Sequence, residues 1–144
     1  MNDNFNLIAQ SRYYLKRFNA LLSELKKVDE GEQTYALREL ALLIQESIEM
    51  CIKGLVEVLI GIDYKHTHLL VDNTLLIRNN SDNIKNFDDL KEILDRIDSK
   101  APRITEFHTK AVYVNSFATS EVELIECKKL IEELQKWIDN NLNI

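Results

Sequence analysis

Apolar residues recur at three- and four-residue steps along most of this chain, and those steps mark out its helices. Phe5, Ile8, Leu15, Phe18, Leu22 and Leu25 form one stripe, which predicts a helix over about residues 4–27, closed by Asp29, Glu30 and Gly31. A second pattern predicts a helix over about residues 34–60. Its main seam is Leu37, Leu40, Ile44, Ile48, Cys51, Leu55 and Leu59. Leu43, Met50, Ile52 and Val56 give it a second apolar face, so several neighbours must cover it. Its polar ridge is Gln45, Glu49, Lys53 and Glu57, which reads as a solvated stripe with a Glu49–Lys53 ion pair at the favourable spacing. Gly61 fits a left-handed helix stop.

Thr67 reads as the N-cap of a third helix, carrying Leu70, Val71, Leu75 and Ile77 inward. An Asn/Ser/Asp cluster at 79–86 reads as a loop. A fourth helix follows through Phe87, Leu90, Ile93, Leu94 and Ile97. Pro102 is expected to break or kink the chain, because Ala101 before it is pushed out of the helical region. The helical pattern resumes through Ile104, Phe107 and Ala111, while Val112-Tyr113-Val114 is also a β-prone run. Ser120 with Glu123 makes a capping box that opens the last helix, which is expected to place Val122, Ile125, Leu130, Leu134, Trp137 and Ile138 inward. The expected fold is all-α: a single domain over 1–144, an antiparallel up-and-down bundle of five to six helices.

Composition agrees with this. Three Gly and one Pro leave few turns. The net charge of -6 supplies no global field for nucleic acid, so any such contact needs a local patch. Arg12, Lys16 and Arg17, or Lys100 with Arg103, are the candidates; the first three read more simply as a solvated helix face. The start of the chain lacks a basic region followed by an apolar run, so no secretory signal is expected. The apolar stretch 51–62 is interrupted by Lys53 and Glu57 and is too short for a bilayer. Cys51 and Cys127 read as reduced, buried thiols of a cytoplasmic protein. His66-x-His68 has a spacing that can ligate zinc, but no Cys, and no His beyond His108, is available to complete a set; Asp63 and Asp72 could contribute, yet His68 reads better as packed at a helix start, so no metal site is expected. No Gly-rich phosphate loop, Ser/His/Asp triad or paired-carboxylate site is evident.

One arrangement of residues points to a family. Gln45, Glu49 and Lys53 at four-residue steps, then Gly61, then Thr67-His68-x-Leu70, resemble the HEPN domain family, the helical partner of small nucleotidyltransferases. Further on, residues 107–115 resemble a family segment reading Phe-Tyr-x-x-Ala-Arg-Tyr-Pro-Asp. Ala111 and Tyr113 match it, whereas Val112 and Val114 stand where Arg and Pro are common. Many members of the wider superfamily are metal-independent RNases with four to six residues between an Arg and the following His, usually in a symmetric dimer. This chain has Arg103 and His108 at that spacing.

The resemblance implies a guanidinium that clamps phosphate and an imidazole that takes a proton from a ribose 2′-hydroxyl. On a regular helix, residues five apart point about 140° away from each other. Convergence therefore requires a break at Pro102 or a second subunit. The resemblance also implies nucleotide or RNA contacts from Lys53, Lys65, His66, His68, Lys110 and Tyr113, with no cofactor. The expected role is a cytoplasmic, homodimeric component of a prokaryotic defence or toxin–antitoxin-like pair, acting on or binding RNA or nucleotide beside a small nucleotidyltransferase. The alternative left open is a non-catalytic helical interaction module, such as an acidic immunity or antitoxin protein or a partner-binding subunit.

Overall fold

The computed structural model describes residues 6–111 and 117–143. Five α-helices account for most of them: α1 Leu7–Glu24, α2 Gln33–Leu55, α3 Leu70–Asn79, α4 Phe87–Lys110 and α5 Glu121–Asn141. Short 3-10 turns at Leu25–Lys27, Glu30–Glu32 and Ser81–Asn83 join them, and no strand occurs among the described residues. α2 is the central rod and packs against all four of the others. Leu40, Ile44, Ile48, Cys51 and Leu55 are fully buried along it, as its two-sided apolar pattern requires.

α1 and α2 approach each other closely at Gly54. A Cβ at that position would lie 2.7 Å from Ile8 Cγ1 and 3.1 Å from the Ile8 backbone nitrogen. Higher up, Ser11 Oγ donates to the Ser47 carbonyl and Ser47 Oγ donates back to the Ser11 carbonyl, while Gln135 Nε2 of α5 donates to Ser11 Oγ. These bonds tie α1, α2 and α5 inside the core.

Several local expectations change. α2 ends in a π-helical turn, Val56–Ile60, before Gly61 stops it with φ 73°, in the left-handed region that was expected. α3 starts at Leu70 rather than beside Thr67. Thr67 Oγ1 accepts from the Leu69 N–H and so shapes the turn before the helix rather than capping it. Pro102 does not break the chain: α4 runs unbroken through it for 24 residues. Ile97, Ala101 and Ile104 are buried in register on the core side, whereas Pro102 is exposed. The lost helical hydrogen bond therefore falls on the side away from the core, and burial offsets a cost of about 3 kcal/mol. Half of the expected capping box forms: Ser120 Oγ accepts from the Glu123 N–H, but the Glu123 carboxylate turns toward Arg103 and Thr119. Tyr113 and the β-prone run 112–114 lie outside the described residues.

Candidate functional site

The polar ridge of α2 is buried, contrary to the solvated stripe expected of it. Gln45, Glu49 and Lys53 are 0%, 3% and 7% exposed, and only Glu57 of the four faces solvent. A buried carboxylate must be fully hydrogen-bonded or paired to offset its lost hydration. Glu49 meets that demand with three partners. Gln45 Nε2 donates to its Oε1 at 2.7 Å and Lys53 Nζ to its Oε2 at 3.0 Å. The third is His68, whose Nδ1 lies 2.9 Å from Glu49 Oε1. His68 comes from the segment 61–69 that leads into α3, nineteen positions from Glu49. Lys53 Nζ also sits 5.3 Å from the centre of the Tyr64 ring, so an aromatic face covers the ammonium.

His108 completes the cluster from the last turn of α4. Its ring stacks on His68 with centroids 3.6 Å apart and planes at 27°. The Nδ1 atom of His108 is buried and has no hydrogen-bond partner among the described residues. Glu46, half-buried on α2, is the remaining member. Burial, followed by the neighbouring Glu49 charge, raises its pKa above the usual carboxylate value, against opposing contributions from His108, His68 and Lys53. Two stacked imidazoles thus lie within electrostatic reach of the α2 carboxylates Glu46 and Glu49, with His68 about half exposed. Imidazole and carboxyl groups of this kind can accept, hold and return a proton.

The structure does not bring Arg103 to His108. α4 is continuous between them, so they leave the helix on different faces. Arg103 Nε and Nη2 donate to the two carboxylate oxygens of Glu123, each at 2.8 Å. Nη1 donates to Glu106 and Nη2 also to the Ala118 carbonyl. The guanidinium lies over Phe107 and Phe117, 5.2 Å from each ring centre. These partners raise the Arg103 pKa and lower that of Glu123. Arg103 is therefore a clamp between α4, the approach to α5 and α5 itself, and its hydrogen-bonding capacity is largely used.

Of the other nucleotide candidates, Lys53 is in the cluster but buried against Glu49. His66 is exposed, with Nε2 3.3 Å from Asp63 and its ring on Tyr64. The Lys65 side chain is exposed, and its backbone is pinned at both the N–H and the carbonyl by the buried Asn73 amide. Lys110 is exposed, 3.9 Å from Glu106.

Among the basic residues considered for a nucleic-acid patch, Arg12 pairs with Asp139 and Lys100 with Glu126. Burial pushes the Cys51 and Cys127 thiols up to about 12 and about 11, so neither is poised as a nucleophile. Among the described residues, no group of three or more His, Cys, Asp or Glu is arranged to hold a metal ion. None of their helices is long and apolar enough to cross a membrane.

Sequence reasoning missed Glu46 and Tyr64, and read Glu49 as a surface ion-pair partner. The available signal was the three-residue step from Glu46 to Glu49, which puts both carboxyls on one helix face. Nothing in a helical pattern says that a loop will fold over that face. The chain matches no protein-family model, no curated protein and no solved structure.

Proposed function

We propose that this chain is a HEPN-type helical domain that binds or acts on RNA or a nucleotide at the His68–His108 cluster, as one component of a prokaryotic defence or toxin–antitoxin-like pair with a small nucleotidyltransferase. One observation carries the reading. Gln45, Glu49, Lys53 and His68, the residues behind the family resemblance, come from two separate segments and form one hydrogen-bonded unit. The histidine of the Arg-x4-His spacing stacks directly on it.

The chemistry this supports is metal-independent cleavage of RNA. An imidazole nitrogen accepts the proton of a ribose 2′-hydroxyl as the 2′-oxygen bonds to phosphorus. The bond from phosphorus to the 5′-oxygen breaks, and that oxygen takes a proton from the medium; the imidazolium later returns its own proton to water. Arg103 has no part in this version, because its fork is bound to Glu123 and Glu106.

A second reading, a partner-binding module without catalysis, is favoured by a separate feature. Val58, Ile62, Leu69, Val71 and Leu75 are all exposed large apolar residues, grouped along the end of α2, the following segment and α3. A single experiment separates the readings. The purified chain is incubated with RNA in EDTA, as wild type, His68→Ala and His108→Ala, and a tagged copy is co-expressed with the candidate nucleotidyltransferase. Cleavage by wild type that falls at least about a hundredfold in both variants supports the first reading. Absence of cleavage, with co-purification that is lost in Leu75→Asp, supports the second. Equal cleavage in all three forms rejects the site.

A further inference from the structure

The two imidazoles are chemically unequal, and their surroundings say which does what. Glu49 is a buried carboxylate that already takes an ammonium N–H from Lys53 and an amide N–H from Gln45. An ionised carboxylate only accepts hydrogen bonds. The 2.9 Å contact from His68 Nδ1 to Glu49 Oε1 therefore requires the proton on Nδ1. In the neutral ring this leaves the lone pair on His68 Nε2, on a side chain that is 52% exposed. His108 is in the opposite position. Its Nδ1 is buried and finds nothing to donate to or accept from among the described residues. A buried orphan N–H is rarer and costlier than an unfilled acceptor. The lone pair of neutral His108 then sits on Nδ1, and its N–H is Nε2, on the part of this half-buried ring that remains open.

We infer that the stacked pair is held in opposite tautomers, with His68 the proton acceptor, His108 a neutral hydrogen-bond donor to the substrate phosphate, and Glu49 the positioning residue that sets His68. The roles rest on the RNA reading above, while the tautomers rest on the geometry alone. The stack itself suits this division. Two imidazolium rings with centroids 3.6 Å apart would repel, whereas one cation over a neutral ring is tolerated. The lone pairs of two nearly parallel rings do not converge on a point, so the arrangement is built for splitting proton roles between the rings.

The test is long-range proton–nitrogen NMR of the imidazole side chains in the full 15N-labelled chain, at alkaline pH. The expected spectrum shows His68 protonated at Nδ1 and His108 at Nε2. The same tautomer in both rings overturns the inference. In Glu49→Gln, His68 is expected to shift toward the Nε2–H form while His108 keeps its pattern; an unchanged His68 removes Glu49 from the positioning role. Against RNA, Glu49→Gln is expected to lower kcat about a hundredfold with KM unchanged, and an unchanged kcat overturns that role too. Opposite tautomers in a wild-type protein that cleaves no RNA would reject the ribonuclease reading and leave the tautomer assignment standing.

Discussion

Glu46 sits half-buried beside Glu49 and within the electrostatic reach of both imidazoles, and burial is the largest cause of its raised pKa. A raised carboxyl pKa means that the folded state prefers the protonated form. The associated stability is fully present below the unfolded value, near 4.5, and is lost as pH rises through the folded value. Glu46→Gln keeps a neutral side chain at every pH. Wild type is therefore expected to lose stability relative to Glu46→Gln as pH rises from about 4 to about 8, measured as the urea midpoint of both proteins at each pH. A constant difference across that range would mean that Glu46 is solvated like any surface carboxyl. Residue identities alone did not reveal this. The Glu49–Lys53 pairing was legible from a four-residue step, but its burial depends on Tyr64 and His68 folding back over it from another segment.

At the scale of elements, the helices were legible because a 3.6-residue repeat of apolar positions is a local property. Their ends were less so. α3 begins at Leu70 because Thr67 spends its hydroxyl on the Leu69 N–H, and α4 survives Pro102 because Ile97, Ala101 and Ile104 stay in register against the core. The α1–α2 crossing has its own requirement. Gly54 leaves no room for a methyl group, since the nearest atoms include the backbone nitrogen of Ile8 and not only a flexible side chain. Gly54→Ala removes a helix-weakening glycine, which alone would stabilise α2 by about 1 kcal/mol. Overpacking against a backbone outweighs that gain, and a net loss of about 1–2 kcal/mol is expected in urea unfolding. A more stable variant would show that α1 can retreat without loss.

At the scale of the whole molecule, the arrangement separates the two residues of the Arg-x4-His spacing, sending Arg103 to Glu123 and His108 to His68 from one helix. Arg103 joins α4 to α5 and to the Ala118 carbonyl through a bidentate pair and two aromatic faces. The site is partly exposed, so solvent screens the pair. Arg103→Ala is expected to cost about 1–2 kcal/mol in thermal or urea unfolding, with the His68 and His108 imidazole spectra unchanged. If those spectra move while stability holds, Arg103 belongs to the site after all. The sequence by itself determined the helical periods, the central place of α2, the left-handed stop at Gly61 and the residues that carry the HEPN resemblance, because each follows from spacing or from a single residue's backbone preference. Only the tertiary structure decided that the ridge of α2 is covered, that Arg103 turns to Glu123, and that His108 meets His68. Those outcomes join segments nineteen, twenty and forty positions apart in the chain, and no local repeat encodes such meetings.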